Sequence, residues 1–177
     1  MKINNIQNIY YMSRDNTDIN EELLTASFNE KRLEDVEILI SINADVNVKG
    51  KNNVTPLILA SQQGNLDIVK VLLNSGARVD DIMTDGRTAL LMACKNGHIE
   101  VVKLLLGRKA NQFLKRNGIS PRDIAKSNGH TEIVRILDLY KHNAEIPEKV
   151  RGGKRRKTIR RGKRKGRRRK TNKRKRT

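Results

Sequence analysis

Thr55-Pro56-Leu57-Ile58-Leu59-Ala60 returns as Thr88-Ala89-Leu90-Leu91-Met92-Ala93, and again as Ser120-Pro121-Arg122-Asp123-Ile124-Ala125. The offsets are 33 and 32 residues. Self-similarity at a fixed period marks a repeat architecture, and the rest of each unit keeps step. Gly64, Gly97 and Gly129 share the spacing, as do Val69, Val102 and Val134, and Leu72, Leu105 and Leu137. A weaker copy precedes them in Leu23, Ala26, Val36 and Leu39, followed by Ala44-Asp45-Val46-Asn47, with one extra residue near Lys31.

Each unit reads as two short antiparallel helices. Thr55, Thr88 and Ser120 stand as N-caps, where a hydroxyl accepts a bond from an unpaired amide of the first turn. Pro56 and Pro121 follow at the first helical position, where a missing amide costs nothing. The first helix ends before Gly64, Gly97 or Gly129. Leu66, Val69, Leu72 and Leu73, then Ile99, Val102, Leu105 and Leu106, give the second helix one apolar face. Asp67/Lys70, Glu100/Lys103 and Glu132/Arg135 lie three apart on the solvated side, where opposite charges help slightly. Asp85-Gly86 and Asn117-Gly118 signal tight hairpin turns between units.

Period, cap, glycine and unit ending together resemble the ankyrin repeat over about residues 20–141. Asn43-Ala44-Asp45-Val46-Asn47 and Gly76-Ala77-Arg78-Val79-Asp80 are similar to that family's ending. The family's Thr-Pro-Leu-His tetrapeptide has Ile58, Leu91 and Asp123 at its His position, which weakens one loop-to-helix network. The first unit lacks the Thr-Pro start, and Arg122 stands where Leu57 and Leu90 do. Both ends therefore read as caps, which need a polar outer side. Tetratricopeptide arrays have a similar period but large aromatic anchors that are absent here. Gly76 falls where a helix closes on a left-handed residue. Lys109 and Asn43 occupy the aligned positions, so Lys109→Gly is expected to stabilise the third unit.

The expected fold is all-α: an ankyrin-repeat solenoid of about four helix-turn-helix units plus a disordered basic tail. The divisions are an N-terminal extension over 1–19, a repeat domain over 20–145 (units about 20–49, 50–82, 83–114 and 115–141) and a polybasic tail over 146–177, with Pro147 near the boundary. The resemblance implies a concave face of hairpin tips and first helices that binds a protein partner. Its variable positions would be Lys51, Asn52 and Val54 on one tip, Thr84, Asp85 and Arg87 on the next, and Arg116, Asn117 and Ile119 on the last. Gln62, Gln63, Lys95, Asn96, Ser127 and Asn128 would line the helices. This set is polar and mildly basic, without the Trp or Tyr enriched at binding hot spots, and points to an acidic or modest-affinity partner.

Catalysis needs a base, nucleophile or metal in mutual reach. His98 and His130 are equivalent residues of successive units, read as packing and capping the second helix; His142 is the third histidine. Cys94, the one cysteine, follows Ala93 at a small-residue position inside the stack and reads as an inert packed thiol. A single cysteine allows no internal disulfide and fits a reducing compartment. No zinc-ligand spacing, phosphate-cradling glycine loop or carboxylate cluster occurs. An enzyme is not expected, nor a cofactor or metal.

Charge divides the chain in two. Residues 151–177 hold 18 of its 38 Lys/Arg and none of its 19 Asp/Glu, so nearly all of the net +19 sits there. The clusters are Lys154, Arg155, Arg156 and Lys157; Lys163, Arg164 and Lys165; Arg167, Arg168, Arg169 and Lys170; and Lys173, Arg174, Lys175 and Arg176. Such a segment cannot bury a core, and disorder is expected. It suits nucleic-acid phosphates, but has no aromatic to stack on bases. It also resembles nuclear import signals. Membrane binding is disfavoured for want of an apolar face or lipidation cysteine, and a purely solubilising tail is the remaining reading. A repeat array with such a tail resembles ankyrin proteins of large DNA viruses. No signal peptide and no apolar run of about 18 residues is present. The expectation is an intracellular monomer, nuclear, nucleolar or cytoplasmic, non-catalytic, whose body docks on a protein while its tail binds nucleic acid or an import receptor. The alternative is a non-sequence-specific nucleic-acid-binding protein, packaged or not, whose repeats only position the tail.

Overall fold

The structure is a computed structural model and describes residues 15–145. Eight α-helices form among the described residues: α1 Asn16–Phe28, α2 Leu33–Ser41, α3 Pro56–Gln63, α4 Leu66–Asn74, α5 Ala89–Asn96, α6 Ile99–Gly107, α7 Pro121–Ser127 and α8 Thr131–Glu145. They pair as four units. First helices α1, α3, α5 and α7 pack in one row, and second helices α2, α4, α6 and α8 in another. The expected polybasic tail, with its four clusters, and most of the expected N-terminal extension lie outside the described residues. The first helix starts at Asn16, capped by Asp15, inside the stretch expected as extension.

Cap chemistry sets each start. Thr55, Thr88 and Ser120 accept the amides of Ile58, Leu91 and Asp123 at 3.3, 3.1 and 3.2 Å. Asp123 completes a reciprocal capping box with Ser120. Serving that box, it sits at the family's His position as a surface group, whereas Ile58 and Leu91 there are buried core. Gly64 and Gly97 close α3 and α5 at φ 82° and 80°. The left-handed register after the second helices recurs at Asn43, Gly76 and Lys109, with φ 70°, 91° and 65°. Only Gly76 meets that geometry without a side-chain penalty.

A continuous aliphatic core follows. Leu23, Val36, Leu39, Val69, Leu72, Val102, Leu105 and Leu137 are all fully or almost fully buried. Ile68 and Val101, adjacent to the expected stripe, are also buried. The outer-face pairs form, with Lys70–Asp67 at 2.8 Å, Lys103–Glu100 at 2.7 Å and Arg135–Glu132 at 3.8 Å. At the last unit Arg122 is exposed and grips Asp138 of α8 through two bonds of 2.7 and 3.0 Å. Leu57 and Leu90 at that position are buried in the core, whereas Arg122 is exposed and takes this ion pair. The extra residue near Lys31 forms the 3-10 turn Glu30–Arg32, where Arg32 pairs with Glu22 and Asp35.

Two rows of bonds tie units together. Asn47 accepts the amide of Arg78 at 2.7 Å, and the equivalent Asp80 accepts that of Asn111 at 2.8 Å. In the second row, the carbonyl of Gln62 lies within 2.6 Å of Asn96 Nδ2 and 3.0 Å of His98 Nε2. Asn128 and His130 repeat this on the Lys95 carbonyl at 2.7 and 3.0 Å. Contrary to the capping expected of the histidines, the His98 side chain makes no cap bond to α6, and only its backbone carbonyl accepts from Val102 N at 3.0 Å. Both histidines reach back one unit and lie over its glycine: a Cβ on Gly64 would meet the His98 ring at 2.4 Å.

Candidate protein-binding surface

Between units the chain turns through three tips. At the first, Gly50 N donates to Val54 O at 2.9 Å, and at the second, Met83 N donates to Arg87 O at 2.9 Å. Each encloses three residues. The third is tighter: Arg116 and Ile119 exchange both backbone bonds, at 3.0 and 2.9 Å. Asn117 and Gly118 take φ 49° and 81° there, the two positive values of a two-residue hairpin turn. The second repeat offset is one residue short because this tip is. Asp85-Gly86, expected to make the same turn, sits in the longer loop, where only Gly86 has positive φ.

The tips are bonded to one another. Thr84 N donates to the Asn52 carbonyl at 3.0 Å, joining the first to the second. Asp85 joins the second to the third, bridging Arg87 at 2.7 Å and Arg116 at 3.2 Å. Partial burial would raise the Asp85 carboxyl, but hydrogen bonds from Arg87 and the charges of Arg87 and Arg116 hold it below the usual carboxylate range. Lys51, Asn52, Thr84, Asn117 and Ile119 are exposed; Asp85, Arg87 and Arg116 are half-buried by their pairing, and Val54 packs on the core.

The remaining expected positions do not share this edge. Gln62, Gln63, Lys95, Asn96, Ser127 and Asn128 lie at the far ends of α3, α5 and α7. An eight-residue helix rises about 12 Å, so they form a second band. There Asn96 and Asn128 carry the inter-unit clamp, and Ser127 Oγ bonds its own helix at the Ile124 carbonyl. Gln63 and Lys95 remain exposed side chains. Sequence reading missed Ile82, 44% exposed beside the second tip, which pairs in character with Ile119 at 46%. An aliphatic residue inside a polar turn segment was the available signal.

Cys94 is fully buried, and burial pushes its thiol up to about 12. Among the described residues no three His, Cys, Asp or Glu are grouped to hold a metal ion. No described helix is long and apolar enough to cross a membrane. No curated protein matches the chain. The family model for ankyrin repeats (3 copies) matches residues 23–116 and 78–150. Ankyrin repeats are in general non-catalytic protein-interaction modules. With paired helices over four units, Thr/Ser caps on the last three and turn tips bonded to one another between them, the chain belongs to the ankyrin-repeat family.

Proposed function

We propose that the repeat body docks on a protein through the row of tips, and that the basic tail tethers the resulting complex to nucleic acid or carries it to the nucleus. The observation that carries the docking half is the bonding of tip to tip through Asn52–Thr84 and Asp85–Arg116. Groups fixed before binding lose less entropy on association, and Ile82 and Ile119 supply apolar contacts among them. The local excess of Lys51, Arg87 and Arg116 favours an acidic partner, although Asp85 neutralises part of it. The tail half rests on the 18 cations of residues 151–177 and on counterion release at phosphates.

The test is affinity capture from lysate, with and without nuclease treatment, using the full chain and Lys51→Glu/Ile119→Glu. Both positions are exposed, so the variant should fold. A protein retained by the wild type and lost by the variant supports tip docking. Retention by both places the contact elsewhere, and loss of every partner on nuclease treatment favours a nucleic-acid-binding protein whose repeats only position the tail.

A further inference from the structure

Asn-Gly occurs three times in the chain, at 96–97, 117–118 and 128–129. The pair carries its own chemistry. The glycine nitrogen can attack the asparagine side-chain carbonyl carbon, and glycine has no side chain to hinder the approach. In a folded chain the rate depends on how firmly the side-chain amide and the glycine N–H are held, because both must be released before they can meet.

Two of the pairs are held and the third is open. Asn96 Nδ2 donates to the Gln62 carbonyl at 2.6 Å, and the Gly97 N–H donates to the Ala93 carbonyl. The His130 ring lies over Gly97, where a Cβ would meet it at 2.7 Å. Asn128 Nδ2 donates to the Lys95 carbonyl at 2.7 Å, and the Gly129 N–H to the Lys126 carbonyl at 3.2 Å. At the third tip the Asn117 side chain and the Gly118 N–H have no partner among the described residues. Both residues are exposed, and a Cβ on Gly118 would meet nothing within 4 Å beyond its chain neighbours. Attack at Asn117 requires only that the two Arg116–Ile119 bonds of this short turn open. At Asn96 and Asn128 a helix end and an inter-unit clamp must come apart. Asp85-Gly86, the acid counterpart on the second tip, is held as well: Gly86 N donates to the Met83 carbonyl at 2.9 Å, and the carboxylate pairs with Arg87 and Arg116.

We propose that Asn117 is a modification site, deamidating spontaneously in the folded chain while Asn96 and Asn128 persist. The Gly118 nitrogen bonds to Asn117 Cγ, the Cγ–Nδ2 bond breaks, and the Gly118 amide proton leaves with the side-chain amide as ammonia. Water then adds to either carbonyl of the resulting succinimide and one ring C–N bond breaks, giving aspartate or isoaspartate. Either product sets a new carboxylate one residue from Arg116, and isoaspartate also lengthens the backbone of the tightest tip by one methylene. On the docking reading above, both weaken the contact with an acidic partner, so the third tip carries a timer. That consequence rests on the docking reading; the reaction does not.

The test is peptide mapping by mass spectrometry of the full chain, aged in mildly alkaline buffer below its melting temperature and sampled over time. Trypsin places the three asparagines on separate peptides, 96–103, 117–122 and 127–135, and an unaged sample corrects for deamidation during digestion. Each bond holding Asn96 and Asn128 is worth about 1 kcal/mol net, so their deamidation should be at least about tenfold slower than that of Asn117. In urea all three should react at similar rates. Comparable rates at Asn117 and at either clamped asparagine in the folded chain, or a difference that persists in urea, would overturn the proposal. The consequence is read separately with Asn117→Asp in the capture assay: reduced retention of a tip-bound partner is expected, and unchanged retention would overturn the timer while leaving the rate comparison intact.

Discussion

Lys109 and Gly76 hold equivalent left-handed positions after α6 and α4, at φ 65° and 91°. An L-residue in that region costs about 1–2 kcal/mol. Replacing Lys109 by glycine removes this cost but adds unfolded-state entropy of about 0.4–1 kcal/mol. It also removes a cation from a helix C-terminus, worth about 0.3 kcal/mol on an exposed surface. The balance favours Lys109→Gly by about 0.5 kcal/mol, which corresponds to a Tm rise of about 2–3 °C for a domain of this size. The reciprocal change isolates the backbone effect. A Cβ at Gly76 would meet no atom within 4 Å, so Gly76→Lys introduces no clash and should lower Tm by a similar amount. Thermal melting by far-UV circular dichroism, at fixed salt and protein concentration, reads both. A Tm unchanged or lowered in Lys109→Gly, or raised in Gly76→Lys, would refute the assignment of the two positions to one strained backbone site.

His98→Ala should cost about 1 kcal/mol, measured by urea unfolding, because one bond is lost while Asn96 still satisfies the Gln62 carbonyl. Cys94 should resist alkylation by iodoacetamide in the folded protein and react once urea opens the stack; fast labelling of the native chain would contradict its burial. Asp85→Asn should destabilise at neutral pH. Because the folded carboxyl titrates below its unfolded value, its contribution is present above about pH 4 and fades as pH falls through the folded pKa. Melts of wild type and Asp85→Asn should therefore converge at acid pH, and a gap that widened on acidification would reverse the sign assigned to the Asp85–Arg87–Arg116 cluster.

The helical skeleton was legible because its signals are local. A hydroxyl before Pro56 or Pro121, a glycine eight or nine residues on and a Val/Leu stripe each fix their element without knowledge of the neighbours. The strained sites at Asn43 and Lys109 were legible for the same reason, by alignment with Gly76. What lay between units was not. His98 stands at a helix start, and sequence alone suggests that it serves that helix; only the stack reveals the Gln62 carbonyl of the preceding unit within its reach. The surface positions suffered likewise. Asn52 and Asn96 both read as polar variable residues, but helix α3 and its equivalents separate the tips from the helix ends by their full length. Asn96 and Asn128 proved to be clamps.

The division of labour between body and tail is tested most directly by fluorescence anisotropy with a labelled DNA duplex. The full chain and a truncation to residues 1–148 are titrated at about 50 and about 200 mM salt. Binding by the full chain alone is predicted, without preference among duplex sequences and with affinity falling by roughly 10³–10⁵ between the two salt levels. Salt-sensitive binding that survives in the truncation would place nucleic-acid recognition on the repeat surface itself and contradict the assignment of that surface to a protein partner.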